Sequence, residues 1–326
     1  MMGVRIIGTG SAVPQRIVTN HDLEKMVDTT DEWITSRTGI KERRIAVEGE
    51  YTSTFATLAA ERALKAAGVP ASEVDLIILA TITTDFPFPA TACIVQSNIK
   101  ATKAAAFDVS AACSGFIYGL SVASAYIRSG AAKKVLVIGA EVLSRIIDWT
   151  DRNTCCLFGD GAGAVLLEGT SEKRGILSTH IHSDGDYWEL LYQPGCGNRF
   201  PAVQKTLDDR NIFLRMQGNE VFKLAVRAME EAAQEALAAN GLTTADVKLL
   251  IPHQANRRII DAIGKRLGLR DDQVYVNLDR YGNTSAATIP LALDEAVQKG
   301  CIADGDIILF DAFGGGLTWA SALVRW

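Results

Sequence analysis

The chain has 326 residues, 48% of them hydrophobic and 22% charged, with a formal net charge of −5. That is length for two ordinary domains or one large α/β unit, each with a real core, and too acidic for general nucleic-acid binding, though a local basic patch can still receive an acidic partner. No apolar run is long enough to span a bilayer, and the start lacks the features of a signal peptide, so a cytoplasmic protein is expected. The six cysteines form no CxxC pair and the four histidines offer no zinc spacing, so neither structural metal nor a disulfide framework is expected.

In chain order, a strand over Val4 to Ile7 meets Gly8-Thr9-Gly10-Ser11-Ala12-Val13-Pro14, a glycine turn that suggests a dinucleotide-binding oxidoreductase. The helix that gives such a turn its meaning does not follow it. Asn20 to Val27 and Thr30 to Thr35 read as short helices. Trp33 and Arg37 then share a helical face that could clamp a flat ring, or simply pack a tryptophan at the surface beside a solvated arginine. A helix over 54–67 and a buried strand from Val74 to Ala80 follow. Next, a strand from Ala104 to Val109 runs through Ser110-Ala111-Ala112-Cys113-Ser114-Gly115 into a helix over 116–129. Cys113 therefore lies near a helix start, where free N–H groups and the helix dipole should lower the thiol pKa; a buried structural cysteine is the plainer reading.

After a strand over Lys134 to Ala140, Gly159-Asp160-Gly161-Ala162-Gly163 reads as a tight turn. The stretch 186–214 is irregular. Helix 219–240 precedes the strand Val247 to His253, a helix from Gln254 to Leu267, the turn Gly282-Asn283-Thr284-Ser285, and the glycine run Phe313-Gly314-Gly315-Gly316.

The halves repeat: Val74 matches Val247 at an offset of 173, Gly130 matches Gly300 at 170, and Lys134 matches Asp306 at 172. One α/β unit of about 160–170 residues is used twice. At an offset of 170 the counterpart of Cys113 is Asn283, with His253 delivered from a strand end nearby. Asn283 could equally be a cap, His253 a core histidine, and the glycines a turn.

Ala111-Ala112-Cys113-Ser114-Gly115-Phe116, Pro252-His253-Gln254-Ala255-Asn256-Arg257-Arg258, Gly282-Asn283-Thr284-Ser285-Ala286-Ala287 and Phe313-Gly314-Gly315-Gly316 together resemble the β-ketoacyl-acyl carrier protein synthase III family. Thr30-Asp31-Glu32-Trp33 and Arg37-Thr38-Gly39-Ile40 extend the likeness; 186–214 is its weakest part. The resemblance implies a thiolase-like, five-layered α-β-α-β-α fold in two halves, 1–172 and 173–326, and a homodimer. It implies an acyltransferase that condenses an acyl-CoA primer, such as acetyl-CoA, with malonyl-acyl carrier protein. No metal or cofactor, nucleic acid or membrane is expected to take part. Cys113 would carry the acyl group, His253 and Asn283 would serve decarboxylation, and the Cys113 and Gly315 amides would form an oxyanion hole. Trp33 and Arg152 would sandwich the CoA adenine, with Arg37 and Thr38 beside it. Gly218 and Asn256 would line the pantetheine channel, and Phe88 would border the acyl pocket. Gln254, Ala255, Asn256, Arg257, Arg258 and Lys265 would dock the acidic carrier protein. A relative that uses another acyl- or aroyl-CoA in secondary metabolism is the nearest alternative.

Overall fold

The computed structural model describes residues 3–326. The elements begin with β1 (Gly3–Ala12), α1 (Asp31–Thr38), α2 (Thr52–Ala67), β2 (Leu76–Ala80), α3 (Thr91–Asn98), β3 (Ala105–Val109), α4 (Gly115–Arg128), β4 (Lys134–Val142) and β5 (Asp160–Thr170). They continue with β6 (Gly175–Ser183), α5 (Gly218–Ala239), β7 (Val247–Pro252), α6 (Arg257–Arg266), α7 (Thr288–Gln298), β8 (Ile307–Gly314) and β9 (Thr318–Arg325).

The first sheet has the order β1-β5-β4-β2-β3, and the second the order β7-β8-β9-β6. Read from β6, the second repeats the first: β6, β9, β8 and β7 take the places of β1, β5, β4 and β2. The fifth place holds only a single bridge, Leu250 to Val274.

Strand residues that are apolar on both faces require helices on both sides. In β2, Ile77 and Leu79 face a core shared with α2 and α3, while Ile78 faces α4 and α7. In β8, Ile308 and Phe310 face the same central helices, and Leu309 faces α5 and α6. The result is five layers, with α4 and α7 between the two sheets.

Some sequence readings change. The run Gly8-Thr9-Gly10-Ser11 lies inside β1 rather than in a cofactor turn. A Cβ at Gly8 would lie 2.3 Å from the Ala63 carbonyl oxygen, and one at Gly10 would lie 2.4 Å from the Ala63 nitrogen. Those glycines let α2 lie directly on the strand, so the oxidoreductase reading loses its motif. Residues 160–163 open β5 rather than making a turn. The helix from Asn20 is one turn long, opened by a Thr19–Asp22 capping box.

Candidate active site

At the end of β3 the chain turns sharply. Ala112 takes a φ of +45°, Cys113 follows in a single tight helical turn, and α4 begins at Gly115. The second half repeats this at Ser285, with φ +48°, before α7. Matching the two turns sets the local offset at 285 − 112 = 173, so the counterpart of Cys113 is Ala286, and Asn283 answers to Ser110. The offset of 170 arose downstream, because α4 has 14 residues and α7 has 11. Asn283 reaches the site from the approach to the second turn, not from a symmetric helix start.

His253 follows β7, and its amide donates to the Asp311 carbonyl at 2.8 Å. Its ring Nδ1 lies 2.7 Å from Thr288 Oγ1, which lies 2.9 Å from the Ser285 carbonyl oxygen. Asn283 Oδ1 accepts from the Ser285 N–H at 2.8 Å, so the side-chain amide is fixed with its Nδ2 donors free for the cavity. Behind the nucleophile, a Cβ on Gly314 would lie 2.6 Å from the Cys113 nitrogen. Only glycine allows that strand end to press against the turn. Thr318 Oγ1 is 3.0 Å from the Ala111 carbonyl and 3.2 Å from that of Gly315, tying the two turns together.

Two cavities meet at Cys113. A cleft of about 760 Å³ contains Trp33, Arg37, Thr38, Arg152, Gly218 and Asn256 toward its mouth, and Cys113, His253 and Asn283 at its floor. A second cavity of about 410 Å³ has apolar walls from Ile82, Leu143, Ile146, Trp188, Leu191 and Leu214, and contains Cys113, Ser285 and Gly315. The expected catalytic, oxyanion and CoA-binding residues thus fall on one connected path, while Phe88, Gln254, Arg257 and Lys265 do not. The stretch 186–214 supplies much of the second cavity's wall.

Other expectations fare differently. Arg152 stands 5.0 Å from the centre of the Trp33 ring and Arg37 stands 4.8 Å from it, so Arg152 must move before a ring fits between it and Trp33. Phe88 is 85% exposed and borders neither cavity of its own chain. Gln254 is buried, its Nε2 donating to the Pro252 and Tyr275 carbonyls and its Oε1 accepting from the Asn277 amide. It braces a loop and offers no docking surface. The helix expected from Gln254 starts at Arg257, with Asn256 as its cap. Arg257 is paired with Asp261 at 2.6 Å and Arg266 with Glu230 at 2.5 Å. Arg258 lies over the Phe222 ring, and Lys265 has no ion pair among the described residues.

The thiol also departs from expectation. Cys113 is pushed up to about 12, chiefly by burial and in lesser part by the Glu141 charge, with the Ser285 hydroxyl and its own amide opposing. A helix start does not populate a thiolate when water is excluded and no cation is near. Burial likewise holds His253 down at about 3, so the imidazole is neutral at physiological pH. Sequence reading missed Ser285, Thr288 and Glu141.

Among the described residues no group of three or more His, Cys, Asp or Glu side chains is placed to hold a metal ion, and no helix is long and apolar enough to cross a membrane.

Two family models match the chain. "3-Oxoacyl-[acyl-carrier-protein (ACP)] synthase III" covers residues 107–185, and its "C terminal" companion covers 237–326. A β-ketoacyl-[acyl-carrier-protein] synthase III of Caldanaerobacter subterraneus subsp. tengcongensis is 56% identical over 98% of this chain and 97% of its own length. The crystal structure of 3-oxoacyl-[acyl-carrier-protein] synthase III from Aquifex aeolicus is similar at a TM-score of 0.93 and 52% identity, covering 99% of this chain and 100% of that one. A priming β-ketosynthase of the R1128 polyketide pathway is similar at 0.92 and 36% identity, over 99% of this chain and 96% of that one.

Proposed function

The chain belongs to the 3-oxoacyl-[acyl-carrier-protein] synthase III family of condensing enzymes, and on that premise we propose how its own residues carry out the condensation of an acyl-CoA with malonyl-acyl carrier protein. The observation that carries the reading is the place of Cys113, at the junction of a long polar-mouthed cleft and an apolar cavity.

Acyl-CoA enters as a substrate along the cleft, its nucleotide end near Trp33, Arg37, Thr38 and Arg152 and its pantetheine arm past Gly218 and Asn256. The Cys113 sulfur attacks the thioester carbonyl, and the acyl chain turns into the apolar cavity. The amides of Cys113 and Gly315 receive the oxyanion. CoA leaves, and the arm of malonyl-acyl carrier protein takes the same cleft. Loss of carbon dioxide puts negative charge on the malonyl thioester oxygen. Asn283 Nδ2 and the His253 ring N–H meet it with two uncharged donors, and the enolate attacks the acyl-cysteine.

The neutrality of His253 suits this role, because a donor that never titrates near neutrality serves the step at any working pH. The apolar cavity exceeds the needs of an acetyl group, so the primer range extends from acetyl to longer or branched short chains. The exposure of Phe88 fits a homodimer in which it borders the acyl cavity of a second copy. Identity to curated synthase III relatives well above that to the polyketide priming enzyme favours fatty-acid initiation over a secondary-metabolic role.

Intact-mass measurement after mixing with acetyl-CoA tests the first half-reaction. An added acetyl group that disappears in Cys113→Ser is expected, and an unlabelled wild-type protein overturns the reading. Turnover of malonyl-acyl carrier protein with a panel of CoA primers tests the second, and inactivity with every short primer counts against fatty-acid initiation.

A further inference from the structure

Arg43 lies on the short strand Glu42–Arg44 with none of its surface exposed, and it belongs to no ion pair among the described residues. Its Nη1 donates to the Val18 carbonyl at 3.2 Å and to Asn20 Oδ1 at 2.8 Å, and its Nη2 donates to the Cys156 carbonyl at 2.7 Å. Its Nε has no partner. A buried cation without a counter-charge is costly for a fold to keep, so the groups it rests against need an account.

The guanidinium rests against a thiol pair. Cys155 and Cys156 are both free and buried, and their sulfurs stand 3.9 Å apart, near enough for one thiol to donate to the other. Cys156 also belongs to the wall of the long cleft, beside Arg152 and Leu157, so a small molecule in the cleft can reach it. The bond from Cys155 draws the Cys156 thiol below its ordinary range, helped by the Arg43 charge and opposed by burial. A thiol beside a cation, with a second thiol in contact, has the surroundings of an oxidisable pair. Cys113 has neither neighbour.

We propose that Cys155 and Cys156 form a site of reversible oxidation, closing to a disulfide when a hydroperoxide enters the cleft and so loosening the hold on CoA. The effect on CoA rests on the reading of the cleft given above. The Cys156 sulfur attacks the terminal hydroperoxide oxygen and the O–O bond breaks. The hydroxyl passes to sulfur, and the other oxygen leaves with the electron pair and takes up the proton that the thiol gave up. Sulfur has then lost two electrons and the peroxide has gained them. The Cys155 sulfur next attacks Cys156, the S–S bond forms, and the hydroxyl leaves as water with the Cys155 proton. Bridged cysteines ordinarily hold their Cα atoms about 4.4–6.8 Å apart, whereas neighbours across a trans peptide are held at about 3.8 Å. Cys155 ends the single helical turn Arg152–Cys155, and Cys156 continues it at φ −77°, ψ −13°. The bridge therefore closes only as that turn unwinds. Arg152 opens the same turn, where it stands over Trp33 and donates to the Asp28 carbonyl at 3.0 Å. Unwinding draws it from the place where the nucleotide end of CoA is gripped. A bridge so far outside the usual span is readily reduced by small thiols, which makes the change reversible.

Treatment of the whole protein with hydrogen peroxide, followed by blocking of free thiols and peptide mass mapping, tests the site, with CoA affinity measured by calorimetry on the same samples. The peptide that carries both residues is expected to lose two hydrogens and to escape blocking, and more slowly when CoA fills the cleft. CoA affinity is expected to fall several-fold and to return with dithiothreitol. Cys155→Ala is expected to bind CoA as wild type does, to form no bridge, and to keep its affinity after peroxide. If Cys155→Ala fails to fold, Cys155→Ser decides by the same readouts. Thiols at 155 and 156 that stay free while Cys113 oxidises overturn the proposal. So does a bridge that leaves CoA affinity unchanged, or an equal loss of affinity in the Cys155 variant. A reduced wild-type protein that binds no CoA overturns the reading of the cleft instead, and the mapped bridge still decides the thiol pair.

Discussion

His253 shows how much chemistry rests on one proton. The ring is neutral, so only one of its nitrogens carries hydrogen, and the Thr288 hydroxyl beside Nδ1 has a single proton to give. Donation by Nε2 requires Nδ1 to be bare and to accept from Thr288, at the expense of the Ser285 carbonyl. Thr288→Val is therefore expected to slow malonyl decarboxylation, by up to about 10²-fold, while leaving Cys113 acetylation intact, with Thr288→Ser restoring the rate. Equal loss of both reactions in a stopped-flow comparison would contradict the assignment. Cys113, His253 and Asn283 were legible in the sequence because each sits in a run of small or distinctive residues. Thr288, Ser285 and Glu141 were not, since hydroxyls and strand carboxylates are common and their partners are far along the chain: Glu141 meets Thr81 across 60 residues.

At the scale of elements, the periodic signals translated well and the punctuation did not. The central helix after Cys113 and the strands β2, β3, β4 and β7 appear within a residue or two of their expected limits, whereas β1 runs five residues beyond its expected end and β5 opens where a turn was expected. The glycines of β1 misled because a glycine that frees a loop and one that admits a neighbouring backbone look alike in one dimension; only the position of α2 separates them. Gly10→Ala is expected to push α2 from the sheet and cost about 1–3 kcal/mol, seen as a lower denaturation midpoint with unchanged slope. An unaltered midpoint would show that the helix yields freely. The repeat was visible as similarity, but its register at the site was not, because the three-residue difference between α4 and α7 lies downstream of both turns. The matching left-handed residues Ala112 and Ser285 mark the true correspondence, and backbone sign is invisible in a sequence.

For the whole molecule, net charge is a poor guide to how an acidic carrier protein is met. The chain is acidic overall, yet α6 carries Lys265, exposed and without an ion pair among the described residues, two helical turns on from Arg258, which lines the cleft. Arg257 and Arg266, which the sequence places on the same face, already have acidic neighbours within the chain. Lys265→Glu is expected to raise KM for malonyl-acyl carrier protein several-fold, with the difference from wild type shrinking as salt increases, and to leave KM for acetyl-CoA unchanged. A parallel rise in both constants would place Lys265 in the CoA site instead.

The wall of the apolar cavity has a different origin from its floor. Cys113 and Asn283 hang on turns that lead into the two helices enclosed between the sheets, and His253 on the end of β7 beside them, where a changed residue disturbs both halves at once. Trp188, Leu191, Tyr192, Gln193 and Leu214 come instead from an irregular excursion joined to the body through short pairings such as Leu191 with Met216. On the reading proposed above, inheritance could act on the two separately: substitutions along this excursion would retune which primers are admitted, while the bond-making apparatus would pass unaltered from ancestor to descendant.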